Sequence, residues 1–190
     1  MTRPLIEVFD PSLHPPSLLK DFRNQESSLA QYLQRFARKN VERHRLNQTF
    51  LALDRSGASP RVAGFFTLAY CSVEAEPAKG ALDSLRKLPG YPIPAILLAQ
   101  LAVDERVQGQ GLGTYLVEEA LLRVLRVIEV GEIPLRLFVT DALNEAAVGF
   151  YETCGMTRIT GGYPARMVLD LKALEFAPDH QAAKKISKRK

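Results

Sequence analysis

Cysteine and histidine are scarce in this 190-residue chain, and their few positions lie far apart. The two cysteines, Cys71 and Cys154, lack metal-type spacing, and the histidines His14, His44 and His180 occupy unrelated polar contexts. Disulfide scaffolds and tetrahedral metal centres need clusters of these residue types. The sequence therefore predicts no metal site and a chain with reduced thiols, as expected of a cytoplasmic protein.

Long hydrophobic runs are also missing. The longest apolar run, near Val62 to Val73, contains Thr67 and Ser72 and is too short for the roughly 20 residues that span a bilayer. Acidic residues and four prolines occupy the first sixteen positions, where a secretory signal would need an uninterrupted apolar core. We therefore expect neither a membrane span nor export.

The net charge of +4 comes from the end of the chain. Five of the last seven residues are basic, and residues 178–190 together carry +4, so the first 177 residues are balanced. A nucleic-acid partner must therefore be argued from local clusters of charge. The tail has little apolar content, so we expect it to be disordered, and residues 1–177 to form one domain with a full core.

Alternating β-type and helical patterns predict an α/β domain of three layers. Helices are predicted over Asp21 to Arg45, Gly111 to Val130 and Asn144 to Cys154. A proline-containing segment from Glu74 to Pro94 is expected to be mostly irregular. Strands are predicted over Leu5 to Phe9, Thr49 to Leu53, Arg61 to Tyr70, Ala95 to Val103, Leu135 to Val139 and Arg166 to Leu171.

The C-terminal half of the first predicted helix is strongly basic. Against a single acid, Glu42, it carries Arg35, Arg38, Lys39, Arg43 and Arg45. Cations near the C-terminus of a helix favourably oppose its dipole, so a solvated helix end accounts for the cluster. A surface that binds an anionic partner accounts for it equally well.

A glycine-punctuated loop follows the most apolar predicted strand and precedes a helix. Such a loop lets the backbone approach a ligand closely, and the helix offers unpaired amides to an anion. A Walker loop is excluded because no lysine follows the glycines, and a dinucleotide fingerprint is excluded because Thr114 takes the position of its last glycine. The candidate phosphate-binding residues are Gln108, Gly109, Gln110, Gly111, Leu112, Gly113 and Thr114.

This loop resembles the Q/R-x-x-G-x-G/A signature of the GNAT N-acetyltransferase superfamily. The resemblance implies a single domain with a mixed central sheet and helices on both faces, which binds the pyrophosphate of acetyl-CoA at the loop. It also implies that the preceding strand splays from its neighbour. Backbone groups of Leu101, Ala102 and Val103 would then hold the pantetheine arm and the thioester carbonyl.

A second motif, N-x-x-A-x-x-F-Y-x-x-x-G, also resembles this superfamily and runs from Asn144 to Gly155. Asn144, Ala147 and Phe150 would contact acetyl-CoA, and Tyr151 would donate a proton or hydrogen bond to the departing thiolate. Alternatively, Tyr151 is a core aromatic with a satisfied hydroxyl. The central strand has Gln100 where a carboxylate base would be convenient, and Asp104 and Glu105, beyond its end, are expected to be solvated turn residues. We therefore expect no dedicated base and an acceptor amine that is partly neutral near pH 7 to 8.

A wider resemblance covers Phe22 to Gly155. The segments Phe22 to Ala37, Val62 to Val73, Pro89 to Gly113 and Asn144 to Met156 are similar to GNAT toxins of bacterial toxin–antitoxin pairs. That family implies acetylation of the α-amine of aminoacyl-tRNA, a ribbon-helix-helix antitoxin and a possible homodimer. The five basic residues would then contact the tRNA backbone.

Two alternatives stay open. The chain could be a GNAT enzyme that acts on a small amine or a protein N-terminus, with the basic helix end a solvated face. It could also be a non-catalytic module that keeps an acetyl-CoA-shaped pocket for interaction. Replacement of Tyr151 separates enzyme from module.

Overall fold

The computed structural model describes residues 3–131 and 133–175; the predicted basic tail, 178–190, lies outside this part of the chain. Seven strands form one mixed sheet in the order β1-β2-β3-β4-β5-β7-β6. Strands β4 and β5 pair in parallel, whereas β1 with β2, β2 with β3, β5 with β7 and β6 with β7 are antiparallel. The strands are β1 Leu5–Val8, β2 Gln48–Asp54, β3 Arg61–Val73, β4 Ile93–Val103, β5 Leu137–Ala142, β6 Thr157–Arg158 and β7 Ala165–Asp170.

The helices alternate with these strands, as the α/β prediction requires. They are α1 Pro16–Lys20, α2 Ser27–Gln31, α3 Ala37–Lys39, α4 Ala75–Ala81, α5 Leu112–Val130, α6 Glu145–Thr153 and α7 Lys172–Glu175. A π-helical segment, Tyr32–Phe36, joins α2 to α3, and a second, Asn40–His44, continues the same helix beyond α3. We call residues 27–44 the basic helix.

The chain divides into two compact units, each with its own core. The first unit comprises the residues up to Ala69 together with Ala99–Ala120. Its core is aromatic at the centre: Phe65 lies 5.3 Å from Phe22 in an edge-on arrangement and 6.1 Å from Tyr32 in a stacked one. The buried residues around them are Phe9, Leu19, Leu33, Ala37, Leu51, Leu53, Val62 and Ala102. Their burial provides the main favourable free energy of this unit.

The second unit comprises Tyr70–Leu98 and the residues from Leu121 onward. Its core consists of Val73, Ala75, Ala78, Leu85, Ile93, Ala95, Leu137, Val139 and Val168. At the border of this core the buried carboxylate of Asp170 accepts hydrogen bonds from Arg136 Nε at 2.7 Å and from Ser84 Oγ at 2.6 Å. These contacts tie the short 3-10 turn Asp83–Leu85 to the end of β7.

The structure differs from the predicted pattern in the segment Glu74 to Pro94 and at Phe36. The segment Glu74 to Pro94 contains a helix, α4, because Pro77 falls in its first turn, where a backbone N–H has no intrahelical partner anyway. Helical spacing from Leu33 and Ala37 predicts that Phe36 lies on the same apolar stripe, yet Phe36 is 49% exposed. It ends the π-helical segment Tyr32–Phe36, whose wider winding moves it off the face that buries Leu33 and Ala37.

Within the described ranges, no helix is long and apolar enough to cross a membrane. No group of three or more histidine, cysteine, aspartate or glutamate side chains in the same ranges is arranged to hold a metal ion.

Candidate functional site

The glycine loop has the backbone geometry that an anion-binding turn needs. After β4 ends at Val103, a 3-10 turn leads to Gly109 at φ +76° and Gly111 at φ +78°, and α5 begins at the next residue. Both glycines occupy the left-handed region, which residues with a Cβ rarely adopt. Gly113 was predicted to share this role, but it lies inside the first turn of α5 and is right-handed helical.

Backbone amides at the start of α5 are available to a ligand. The first intrahelical bond at this end is donated by the Tyr115 N–H to the Gly111 carbonyl at 3.2 Å, so the amides of Leu112, Gly113 and Thr114 precede the hydrogen-bonded ladder. The helix has 19 residues, and no acidic side chain lies in its first turn. Positive φ glycines ahead of such amides favour binding of a phosphate-type anion.

The end of β4 is closely packed on the neighbouring strand within the first unit. Ala102 is buried, while Leu101 and Val103 are half-buried. A Cβ added at Gly64 would lie 2.9 Å from Leu116 Cδ1 and 3.0 Å from the Ala102 carbonyl oxygen. Glycine at position 64 therefore lets β3 approach the strand whose backbone was predicted to hold the cofactor arm.

The carbonyl of Val103 is already engaged. It accepts hydrogen bonds from Asn24 Nδ2 at 2.8 Å and from Gln108 Nε2 at 3.2 Å. This finding narrows the prediction that backbone groups near Val103 are open to a ligand, because the carbonyl already has two side-chain donors. Through this bond the side chain of Gln108, the first residue of the glycine loop, is attached to the end of β4.

Asp104 was expected to be a solvated turn residue, and this expectation was wrong. The residue is 2% exposed and accepts hydrogen bonds from the Arg23 N–H at 3.0 Å and from Arg106 Nε at 2.7 Å. Burial by itself would raise the pKa of Asp104, but the hydrogen bonds from Arg106 and Arg23 outweigh it and lower the pKa. The carboxylate is charged and fixes the turn that leads into the loop.

In the second unit, Asn144 starts the helix that carries the other predicted site residues. Its side-chain Oδ1 accepts a hydrogen bond from the Ala147 N–H at 2.9 Å, which makes it the N-cap of α6. Phe150 and Tyr151 follow on this helix with ring centroids 5.0 Å apart. Gly155, at φ +84°, ends the helix as predicted. A contact of Asn144, Ala147 or Phe150 with a cofactor stays a prediction.

Tyr151 is buried, and its hydroxyl belongs to a short polar chain. It shares a side-chain hydrogen bond with Thr140 of β5, whose own hydroxyl donates to the Leu98 carbonyl at 2.9 Å. Burial raises the pKa of Tyr151 to about 12. The phenol therefore remains protonated at neutral pH and can act as a hydrogen-bond donor. Thr140 was not identified from the sequence, because only strand pairing brings it to Tyr151.

The five basic residues that were predicted to contact tRNA divide into two groups. Arg35, Lys39, Arg43 and Arg45 are exposed, whereas Arg38 is partly buried. Arg38 donates to the His14 carbonyl at 2.9 Å and to Glu42 Oε1 at 3.2 Å. Its guanidinium is thus used to hold the basic helix to the segment before α1.

Among protein families, the model of the acetyltransferase (GNAT) family matches residues 17–156. A curated relative from Mycobacterium tuberculosis, named tRNA-acetylating toxin, is 41% identical over 91 residues, which are 48% of this chain and 52% of that protein. The chain therefore spans about half the length of this relative.

Solved structures share the fold over nearly the whole chain. A point mutant of KacT superposes with a TM-score of 0.77 at 22% identity, covering 92% of this chain and 98% of KacT. AtaT complexed with acetyl-methionyl-tRNAfMet superposes with a TM-score of 0.75 at 27% identity, covering 90% and 96%. A mutant AtaT toxin bound to the C-terminus of the antitoxin AtaR and acetyl-CoA superposes with a TM-score of 0.68 at 22% identity. The match covers 90% of this chain and 95% of that chain.

Proposed function

The chain belongs to the acetyltransferase (GNAT) family, and on that premise we propose that it is an N-acetyltransferase acting on the α-amine of aminoacyl-tRNA, with acetyl-CoA as the donor. The observation that supports acetyl-CoA as the acetyl donor is the geometry of the glycine loop. Gly109 and Gly111 have positive φ immediately before a 19-residue helix whose first amides lie outside its ladder. These amides would bind the pyrophosphate of acetyl-CoA.

The transfer itself makes three chemical demands. The neutral amine nitrogen attacks the thioester carbonyl carbon and loses one proton to water, and the tetrahedral oxyanion needs hydrogen-bond donors. The C–S bond then breaks, and the sulfur leaves as a thiolate that needs a proton or hydrogen bond. Tyr151 is the candidate donor, and its pKa of about 12 keeps the proton on the phenol before the sulfur departs. Since a thiol of the cysteine type has a pKa near 8.5, a hydrogen bond to the thiolate is favoured over complete transfer.

The acceptor is inferred from the relatives and from amine chemistry. The curated relative is named a tRNA-acetylating toxin, and AtaT has been solved with acetyl-methionyl-tRNAfMet. Position 100 on β4 is a glutamine, which cannot remove a proton as a carboxylate would. An α-amine is partly neutral near pH 8, whereas a lysine amine near pKa 10.4 would need such a base. An α-amine therefore suits this chain better.

The basic helix supports an RNA acceptor because its exposed cations form a row. Arg35, Lys39 and Arg43 are spaced by four residues. In a regular α-helix each such step rotates by about 40°, so the third side chain would drift well off the face of the first. The two π-helical segments wind more widely and reduce this drift. A straight row of cations suits a phosphate backbone.

Three further features complete the proposal. A ribbon-helix-helix antitoxin is the expected partner, in keeping with the AtaT structure that contains the C-terminus of AtaR. The cytoplasm is the expected location, because charged tRNA is made and used there. A homodimer is a third expectation that follows from the toxin resemblance.

Mass spectrometry after incubation with acetyl-CoA and one acceptor at a time tests the function. We expect N-acetylated aminoacyl-tRNA, with free amino acids and polyamines unmodified. Acetylation of free amines with charged tRNA unmodified would contradict the tRNA acceptor but would still support acetyltransferase activity. Failure to bind acetyl-CoA would contradict both parts.

A further inference from the structure

Arg23 has its backbone fixed on both sides by the residues that follow β4. Its N–H donates to Asp104 Oδ2 at 3.0 Å, and its carbonyl accepts from the Glu105 N–H at 3.0 Å. Asp104 is itself buried and held by Arg106. The backbone of Arg23 is therefore attached to the turn that leads from β4 into the glycine loop.

The residues on either side of Arg23 strengthen this attachment. Phe22 is buried and packs edge-on against Phe65 at 5.3 Å. Asn24 Nδ2 donates to the Val103 carbonyl at 2.8 Å, and Gln108 Nε2 donates to the same oxygen at 3.2 Å. Asn24, the residue that follows Arg23, thus shares one acceptor with Gln108, the first residue of the glycine loop.

The Arg23 side chain is exposed, in contrast to its fixed backbone. Within residues 3–131 and 133–175, its guanidinium has no carboxylate partner. The nearby guanidinium of Arg106 is different, since it bonds Asp104 at 2.7 Å and Asp21 Oδ2 at 2.9 Å. Arg106 therefore satisfies the local acids and leaves the charge of Arg23 available to a ligand.

We propose that Arg23 binds a phosphoryl group of acetyl-CoA and so extends the anion site of the glycine loop with a side-chain cation. This inference rests on the proposed function. Loop amides suffice for one phosphoryl group, but acetyl-CoA carries a pyrophosphate and a separate 3′-phosphate on its ribose. A guanidinium adds charge and a planar fork of donors that matches a phosphate. The fixed backbone reduces the entropy lost when the side chain is ordered on the ligand.

Isothermal titration of acetyl-CoA and of 3′-dephospho-acetyl-CoA into the full chain tests the proposal. We compare the wild type with Arg23→Gln, which keeps both backbone hydrogen bonds. Arg86→Gln is the matched control, because Arg86 is exposed and its surface ion pair with Asp83 contributes little. We expect Arg23→Gln to raise the Kd for acetyl-CoA roughly tenfold and Arg86→Gln to leave it unchanged. Thermal unfolding checks that both variants are folded.

The two donors identify which phosphoryl group is bound. If the 3′-phosphate is the partner, dephospho-acetyl-CoA binds the wild type and Arg23→Gln equally. If the pyrophosphate is the partner, Arg23→Gln weakens the binding of acetyl-CoA and of dephospho-acetyl-CoA by the same factor. Unchanged acetyl-CoA affinity in Arg23→Gln overturns the proposal, and a loss confined to tRNA binding would assign Arg23 to the acceptor instead. Absence of binding to the wild type would contradict the proposed function, which is a separate result.

Discussion

The carboxylate of Asp104 accepts a hydrogen bond from the backbone N–H of Arg23 at 3.0 Å, although 81 positions separate the two residues. Through this contact the connection between α1 and α2 is joined to the end of β4. The same carboxylate orients Arg106, which follows in the turn before the glycine loop. One buried acid thus organises the segments on which the proposed donor site depends.

Replacement of this acid should be costly. Asp104→Asn removes the charge that faces Arg106 and weakens the acceptor for Arg23, so we expect the free energy of unfolding to fall by about 2 to 4 kcal/mol. Chemical denaturation measures this change. Asp21→Asn removes a more exposed partner of the same arginine and should cost less than about 1 kcal/mol. Equal losses in the two variants would contradict the role given to Asp104.

The lowered pKa of Asp104 also predicts a pH dependence of stability. Because the folded state binds the proton less tightly than the unfolded state, the stabilisation is present above about pH 3.9 and is lost as the pH falls through the folded pKa. The difference in unfolding free energy between wild type and Asp104→Asn should therefore shrink on acidification. A difference that stays constant from pH 6 to pH 2 would contradict this assignment.

Tyr151→Phe should lower turnover by one to two orders of magnitude, roughly the contribution of a lost general acid, while acetyl-CoA still binds. Because burial raises the pKa of Tyr151 to about 12, ionisation of this phenol should cause no loss of turnover up to about pH 10. Steady-state kinetics and titration measure both quantities. Tyr163→Phe alters an exposed tyrosine that contacts Glu145 and should leave turnover unchanged. Unchanged turnover in Tyr151→Phe would remove this residue from the mechanism.

Thr140 should act as a positioning residue for Tyr151. Thr140→Val keeps the side-chain shape but removes the hydroxyl between Tyr151 and the Leu98 carbonyl, so we expect kcat to fall several-fold with the Kd for acetyl-CoA unchanged. Thr140→Ser keeps the hydroxyl and should restore kcat. A purely structural role would instead lower the stability of both variants without a selective effect on kcat.

The row on the basic helix should govern tRNA binding through charge. Changing Arg35, Lys39 or Arg43 singly to Gln should weaken binding and reduce the salt slope of log Kobs by about 1. Arg38→Gln breaks bonds to His14 and Glu42, so it should lower the melting temperature more than it changes the salt slope. Binding measured between 50 and 200 mM salt separates the two effects. Identical slopes in all four variants would mean that the row does not contact RNA.

Gly111 should be intolerant of a side chain for conformational reasons. Nothing lies within 4 Å of a Cβ added there, but its φ of +78° would cost an alanine about 1 to 2 kcal/mol. Gly111→Ala should therefore lower stability or shift the loop and weaken acetyl-CoA binding. Gly80→Ala is the control, since this exposed glycine lies within α4 and also has open space. It should raise stability by up to about 1 kcal/mol.

Short-range sequence patterns were enough to predict the glycine loop and most of the helices and strands. The sequence Gly109-Gln110-Gly111 before an amphipathic run predicted a turn with left-handed residues and a following helix, and both are present. Asn144 and Gly155 marked the ends of α6 for similar reasons, because caps and stops are set by the conformational preferences of single residues. Such features depend on neighbours in sequence and can be read from it.

Contacts between distant segments could not be read in this way. The burial of Asp104, the hydrogen bond of Thr140 to Tyr151 and the attachment of Arg38 to His14 all depend on which strands and helices pack together. Even the exposure of Phe36 followed from a π-helical segment that the apolar spacing did not predict.

The sequence by itself therefore determined the fold class, the glycine loop and the position of Tyr151 on the helix that follows β5. Only the tertiary structure decided which charges are used internally, at Asp104, Arg106 and Arg38, and which remain exposed, at Arg23 and along the basic helix. The reason is that a charged residue has the same chemistry in every sequence. Whether its charge is compensated depends on the partners that folding brings within a few ångströms.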